Sequence, residues 1–426
     1  MKVTYHRTEC DNGLKIVSAP LQGMNSVAVG IWAKVGGRYE VKQKAGVSHY
    51  LEHLLFKGTR TRSCMQIKQA IEGVGGSFNA FTGEEYTCYY VKARAKYLSL
   101  STDILSDMVL HATLAEEDVE KERGVILEEI KMEMDIPMHF VNELLSNLLW
   151  PGHPLGMELA GTPKTIQGLR RTDILRHRDD YYHPANLFVV AAGAFRHEEV
   201  VRLSRRFFHR VPAKTPSRFQ KATVTPKGPL TKFQFKKTAQ THLSIGLHGL
   251  PRSHPDEYAF ALLHIVLGAN MSSRLFQEVR ENRGLAYEIG THLRRFTDTG
   301  AFVINAGVEA AKTVEALSVI LKELGKVIRR PVPKAELDRA KEYFIGQTTL
   351  ALEDTMDHML WLGEPLVTLN RLYTQEEVLR SVRRVQPDDI RRVARTLFRE
   401  KALHLAIIGP QKDKDRKKIE EVFHFD

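Results

Sequence analysis

The chain repeats itself, and that repetition limits its fold more than any other feature. A Pro-, Lys- and Thr-rich stretch at 211–232 breaks the periodic pattern near the midpoint of 426 residues. It reads as a linker. What lies on either side looks like the same unit twice. The alternating run Val27–Ala33 (VAVGIWA) is matched with His242–His248 (HLSIGLH), and a long helical segment follows each. The segment DILRHRDDYYHPANLFVVAAGAF, from Asp173, lines up with DIRRVARTLFREKALHLAIIGP, from Asp389, and sets Gly193 against Gly409. A chain of this length is also long for one core. The expected organisation is a first domain over 1–212, a linker over 213–232 and a second domain over 233–426.

Both halves mix strands with long amphipathic helices. Helical periodicity covers Leu98–Leu114, Glu116–Met132 and Lys312–Arg329, while Tyr86–Ala93 and Ala301–Ala306 have the composition of strands. A sheet covered by helices accounts for both patterns. The expected class is α+β, with two homologous sheet-plus-helix domains arising by internal duplication.

Within the first half, GVSHYLEHLLFKGT carries His49, Glu52 and His53 as H-x-x-E-H. Positions i, i+3 and i+4 share one face of a helix, so two imidazoles and a carboxylate converge. Two neutral imidazoles bind Zn²⁺ at about 2.0–2.1 Å each and leave places for a third ligand and a water. Glu52 then stands beside that water, placed to take its proton and pass it to a leaving amine. The order reverses H-E-x-x-H and is the inverzincin pattern. A purely structural zinc site usually wants cysteines and a closed shell. Here the three cysteines, Cys10, Cys64 and Cys88, are widely separated.

A third ligand has many candidates. The expected helix Glu116–Met132 offers Glu117, Glu120, Glu122, Glu128 and Glu129. Setting EDVEKERGVILEEI, from Glu117, against AELDRAKEYFIGQT, from Ala335, favours two of them, because Glu122 then faces Ala340 and Glu129 faces Gln347. Around His264–Leu267, opposite the H-x-x-E-H, there is one histidine and no second one four residues away. One half keeps a metal site, and the other keeps only the frame.

Composition excludes several classes. Scattered cysteines argue against a disulfide framework and fit a reducing compartment. The start MKVTYHRTECDNGLKI has no apolar signal segment, and no run approaches the ~18 apolar residues of a membrane helix. LFVVAAGAF at 187–195 reads as a buried strand. A soluble, cytoplasmic chain with no membrane association is expected. The net charge of +11 is dispersed, with modest clusters at Arg202–Arg210, Arg391–Arg399 and Lys412–Lys418, and no basic run is interleaved with base-stacking aromatics. It reads as a solvated surface that would favour acidic peptides, not as a nucleic-acid site.

Four motifs in order carry a resemblance. They are H-x-x-E-H at 49–53, ERGVILEEI with Glu122 and Glu129, HPLG followed by GT at 153–162, and RLFQEVRENRGLAY at 274–287. Together they resemble the pitrilysin/insulinase family of zinc peptidases across nearly the whole chain, most closely its short bacterial members and the β-subunit type of the mitochondrial processing peptidase. The resemblance implies one zinc per chain held by His49, His53 and Glu129, with Glu52 as general base. It implies that Glu122 supports the site without binding zinc. Phe56 matches an aromatic residue lining the pocket beside the scissile bond, and a core residue is the competing reading. In GGSFNAFTGEEYTCYY, the glycines Gly73, Gly75 and Gly76 permit a turn before an edge strand at Ser77–Thr82. The family pairs the position of Asn79 and Ala80 with peptide backbone.

Arg280 and Tyr287 lie in the half without a metal motif, where a helix-end arginine and a buried tyrosine would ordinarily be structural. In the family this spacing supplies hydrogen bonds to substrate carbonyls and to the tetrahedral oxyanion. Longer members contain four such domains, so a two-domain chain resembles half an enzyme. The expected protein is a zinc endopeptidase cutting short or unfolded peptides inside a homodimeric chamber, with Arg280 and Tyr287 reaching the partner's zinc; a heterodimer with a related chain is the variant. Two rivals stand beside it. One is a non-catalytic scaffold subunit, which would usually have lost part of H-x-x-E-H. The other is a metal-dependent small-molecule lyase of the S-ribosylhomocysteine type, whose chains are shorter and unduplicated.

Overall fold

The computed structural model describes residues 3–216, 218–224 and 228–425. Strands β1 (His6–Glu9), β2 (Lys15–Pro20), β3 (Ser26–Ala33), β4 (Ser77–Thr82), β5 (Thr87–Arg94) and β6 (Leu187–Gly193) form one sheet in the order β1-β2-β6-β3-β5-β4. Strands β7 (Leu230–Phe235), β8 (Gln240–Gly249), β9 (Ala286–Arg295), β10 (Gly300–Glu309) and β11 (His404–Gly409) form a second, ordered β7-β11-β8-β10-β9. Without β1 the two orders are identical, down to the one parallel pair in each, β2 with β6 and β7 with β11. The fold is α+β and its two sheets repeat one topology.

The helices used below are α1 (Val47–Leu55), α2 (Leu98–His111), α3 (Glu116–Asp135), α4 (Pro137–Leu149), α5 (Glu257–Gly268), α6 (Thr313–Arg329), α7 (Lys334–Ala351) and α8 (Thr355–Leu369). The helices expected from periodicity at Leu98–Leu114, Glu116–Met132 and Lys312–Arg329 are α2, α3 and α6, and the predicted strands are β5 and β10. LFVVAAG is β6, buried at every position. None of the described helices is long and apolar enough to cross a membrane.

Strand register corrects the repeat alignment by one residue. Val27 pairs with Gly193, whereas His242 pairs with Ile408, which carries Gly409 on to Thr241. A Cβ on Gly193 would lie 2.8 Å from the Val27 Cα, and one on Gly409 would lie 3.1 Å from the Thr241 Cα. Val27 therefore corresponds to Thr241, not His242. A slip of one residue sends every side chain to the other face. Burial obeys the corrected register: Val29, Ile31 and Ala33 enter the main core of the first sheet as Leu243, Ile245 and Leu247 enter that of the second.

The two compact units are not contiguous in sequence. One comprises Met1–Ile130, Met157–Gln220 and Thr349–Tyr373, and the other Lys131–Gly156, Lys221–Thr348 and Thr374–Asp426. The border falls after Ile130 in α3 and after Thr348 in α7, the same place in each repeat when Glu117 is set against Ala335. Each half thus lends one helix to the other sheet. Helix α4, from the first half, lays Val141, Leu144, Leu145 and Leu149 on Val303, Ala406 and Ile408 of the second sheet. Helix α8, from the second half, lays Met359, Leu362 and Leu366 on Ala28, Trp32 and Val190 of the first. Each buried leucine contributes about 1.5–3 kcal/mol. A division of the chain at 212 and 233 places neither helix with the sheet it covers. The boundary at Gln220–Lys221 does lie within the predicted linker, of which Ser217 and Thr225–Lys227 are outside the described residues and Leu230–Lys232 open β7.

The α8 contact is close because two glycines permit it. A Cβ on Gly363 would lie 2.2 Å from the Trp32 ring, and one on Gly30 would lie 2.7 Å from the Met359 Sδ. Gly363→Val is expected to lower stability by about 1–3 kcal/mol through overpacking. Gly346→Ala in α7, where a Cβ meets nothing within 4 Å, is expected to raise it by about 0.5–1 kcal/mol. Urea unfolding of the two variants checks this, and shifts of the same sign would contradict the packing.

Histidines withdrawn wholly or partly from water set a second expectation. Burial pushes His177 down to about 3 and His248, His264 and His292 down to about 4. A folded-state pKa below the unfolded value means that the unfolded chain binds more protons between the two. The stability contribution is therefore complete above about pH 6.5 and is lost as pH falls from there toward 4. The urea midpoint should decline through that window, and a flat midpoint would count against neutral imidazoles at these four positions.

Candidate metal centre

Helix α1 is nine residues long and would be marginal on its own. Packing of one face fixes it: Val47, Ser48, Tyr50, Leu51, Leu54 and Leu55 are buried. His49, Glu52, His53 and Phe56 share the other, partly exposed side. Its start is built by Gly46, whose φ of +94° suits glycine and whose Cβ would come 2.6 Å from the Ala160 carbonyl oxygen. No side chain of the N-cap residue closes the helix. Glu40 does so from outside, its two carboxylate oxygens accepting from the Gly46 and Ser48 N–H groups at 2.7 Å each. Burial pushes the Glu40 carboxyl up to about 7, against the pull of those donors. The Tyr50 hydroxyl donates to the Val119 carbonyl and ties α1 to α3.

Helix α3 brings the acids. The His49 Nε2 lies 3.6 Å from Glu129 Oε1, and the His53 Nε2 lies 3.6 Å from Glu129 Oε2. One ligand atom from each of His49, His53 and Glu129 can be chosen so that all lie within 4.8 Å of one another, and among the described residues these form the one such group of His, Cys, Asp or Glu. The 3.6 Å separations are long for hydrogen bonds and close to the spacing of about 3.3–3.5 Å that ligands about 2.0–2.2 Å from one ion would take in a tetrahedron. Burial, then the neighbouring His53, pushes His49 down to about 4, so it is neutral at pH 7 with a lone pair to give. Its Nδ1 is buried without a hydrogen-bond partner among the described residues. This donor set fits zinc.

Glu122, 5% exposed, turns its Oε2 to the His53 Nδ1 at 3.1 Å and its Oε1 to the Lys57 ammonium at 2.5 Å. An acceptor at Nδ1 places the imidazole proton there and leaves Nε2 to face Glu129. Glu122 therefore stands behind the cluster and Glu129 in it. Glu52 is not in the group. Its carboxylate accepts from the Thr82 hydroxyl at the end of β4, and burial pushes its pKa up against that bond and the pull of the neighbouring His53.

Strand β4 is an edge strand, with β5 on one side only. Asn79 is exposed on it, and its Oδ1 accepts from the Ala80 N–H at 2.9 Å. Phe56 is half-buried, with Phe78 of β4 at 5.5 Å and Tyr89 at 6.4 Å between ring centroids. It belongs to the core's margin as much as to a surface. In the second unit, Arg280 and Tyr287 are neighbours: Arg280 lies in a π-helical turn, Phe276–Glu281, its guanidinium 4.7 Å from the Phe276 ring and 5.5 Å from the Tyr287 ring. Tyr287 is 76% exposed, so the competing reading of it as a buried structural residue does not hold. Sequence reading missed Glu40, Lys57 and Thr82. Only Lys57, one turn after His53, could have been found by helical spacing.

Comparison with known proteins accords with this geometry. The family description "Insulinase (Peptidase family M16)" matches residues 15–163, and "Peptidase M16 inactive domain" matches 168–344. An uncharacterized zinc protease of Streptomyces coelicolor is 39% identical over 98% of this chain and 92% of its own. The uncharacterized zinc protease YmxG of Bacillus subtilis is 34% identical over 95% and 98%. A protease from Helicobacter pylori, 24% identical, shares the fold with a TM-score of 0.88 over 96% of this chain and all of that one. The match described as "inactive" starts before the linker and lies mostly on the half that lacks H-x-x-E-H. With a family model over each half and relatives this similar along nearly the full length, the chain belongs to the insulinase family of peptidases, M16, in its short two-domain form.

Proposed function

We propose that the protein is a zinc-dependent endopeptidase acting on short or unfolded peptides. One observation carries the reading: His49, His53 and Glu129 converge while Glu52, on the same helix face, stays out of the cluster. When bound there, zinc supplies a Lewis acid that polarises a carbonyl and acidifies water. Glu52 accepts the proton of the attacking water and returns it to the departing amine. Glu122 keeps the His53 proton on Nδ1. An extended peptide adds to the outer edge of β4, taking over the Ala80 N–H that Asn79 now holds, and Phe56 borders its side chains. Main-chain pairing gives broad specificity and requires unfolded substrate.

Arg280 and Tyr287 complete the reading as donors to the substrate carbonyl and its oxyanion. The exposure of Tyr287 and its stacking with Arg280 favour a pair that meets something outside its own unit. We assign that pair to the zinc site of a second copy, in a homodimer. The cysteines, all free, favour a cytoplasmic setting.

Glu52→Gln is expected to cut hydrolysis of a quenched peptide by about 10²–10⁴-fold while leaving zinc at one per chain. Full activity in that variant, or hydrolysis that survives zinc removal, would refute the mechanism. An intact zinc site with no cleavage until a different chain is added would favour the scaffold reading. For the trans assignment, Glu52→Gln and Arg280→Ala are each made inactive and then mixed. Mixed dimers should regain activity, because one of their two sites pairs a native Glu52 with a native Arg280. No recovery after verified subunit exchange would place the pair in cis.

A further inference from the structure

Glu52 is anchored from outside its own helix. The Thr82 hydroxyl, on the last residue of β4, donates to Glu52 Oε2. Neighbouring hydroxyls fix the direction of that bond. Thr87, opposite Thr82 in the β4–β5 ladder, is fully buried and gives its hydrogen to the Val35 carbonyl at 2.9 Å, leaving 3.5 Å to the Thr82 Oγ1. Behind it the Tyr89 and Tyr182 hydroxyls pair with each other at 2.9 Å. An ionised carboxylate only accepts, so the Thr82 hydrogen belongs to Glu52.

The position of Thr82 gives this bond its meaning. Phe78, Ala80 and Thr82 alternate along β4 and share its face toward α1, where Phe78 meets Phe56. The strand whose free edge would take the peptide therefore ends in the group that holds the base. A glutamate on α1 has several side-chain torsions to settle, and a misplacement of about 1 Å at a reacting group costs about 10²-fold in rate.

We propose that Thr82 is a positioning residue that locks the Glu52 carboxylate in register with the peptide-binding strand β4. This rests on the reading of Glu52 as general base. Peptide docking on β4 and proton transfer at Glu52 are then aligned through one side-chain hydrogen bond.

The test uses Thr82→Val, which keeps the shape and removes the donor, and Thr82→Ser, which keeps the donor. In the zinc-free full chain, carbodiimide labelling of Glu52 followed by mass spectrometry should run several-fold faster in Thr82→Val than in the native chain or Thr82→Ser. Equal labelling in all three overturns the proposal. In the zinc-loaded chain, kcat for a quenched peptide should fall about 10- to 100-fold in Thr82→Val, with KM, zinc content and melting temperature held and with recovery in Thr82→Ser. An unchanged kcat, or equal impairment of both variants, also overturns it. A native chain that cleaves no peptide defeats the functional reading instead, and the labelling comparison then decides on Thr82 alone.

Discussion

The candidate metal centre depends on keeping one face of a nine-residue helix out of the core. Helix α1 would be marginal alone, and its buried face makes it part of the first unit's core. The same burial is what leaves His49, Glu52 and His53 together on the partly exposed side. Everything else near the site serves that placement. Glu40 closes the helix start from six residues before Gly46, Tyr50 ties the helix to α3, and Glu122 with Lys57 holds the back of His53. Burying Glu40, Tyr50 and Glu122 is tolerable because each is given a partner, whereas the His49 Nδ1 is left without one among the described residues.

The duplicated unit shows what the frame does without the chemistry. Helix α5 occupies the second repeat's counterpart of α1 and is buried along nearly all of Ala259–Gly268. Its one histidine, His264, is spent on Thr291 at 2.7 Å. On α7 the places of Glu122 and Glu129 are taken by Ala340 and Gln347, and Ala340 is part of the core. Two copies of one topology have thus diverged into a unit with a polar cluster and a unit that presents Arg280 and Tyr287. The exchange of α4 and α8 makes each unit depend on both halves of the chain for its core.

Much of this was legible in the chain because it is local or periodic. The spacing of His49, Glu52 and His53 follows from 3.6 residues per turn, and the strand at 187–193 follows from its unbroken apolar run. The loss of acid at 340 and 347 pointed to Glu122 and Glu129, which share α3 and which the structure separates by role: one against Nδ1 and Lys57, the other between the two Nε2 atoms. The repeat alignment was right in outline and wrong by one residue at β8. Alternating residues of similar size resemble each other in either register, and only the ladder to Gly409 distinguishes them.

What the sequence determined by itself was the duplication, the α+β class and the helix face shared by His49, Glu52 and His53, since each is written in short-range patterns. Tertiary structure alone decided which sheet each of α4 and α8 covers, because both sheets offer apolar faces and a helix's own pattern does not name its partner. It alone brought Glu40 to the start of α1 and Thr82 to Glu52, for those contacts join residues whose separation in the chain follows no period. Exposure of Tyr287 was implied by the resemblance but not by the residues around it: a tyrosine in a strand is buried or exposed according to what packs over it, and that is a property of the fold.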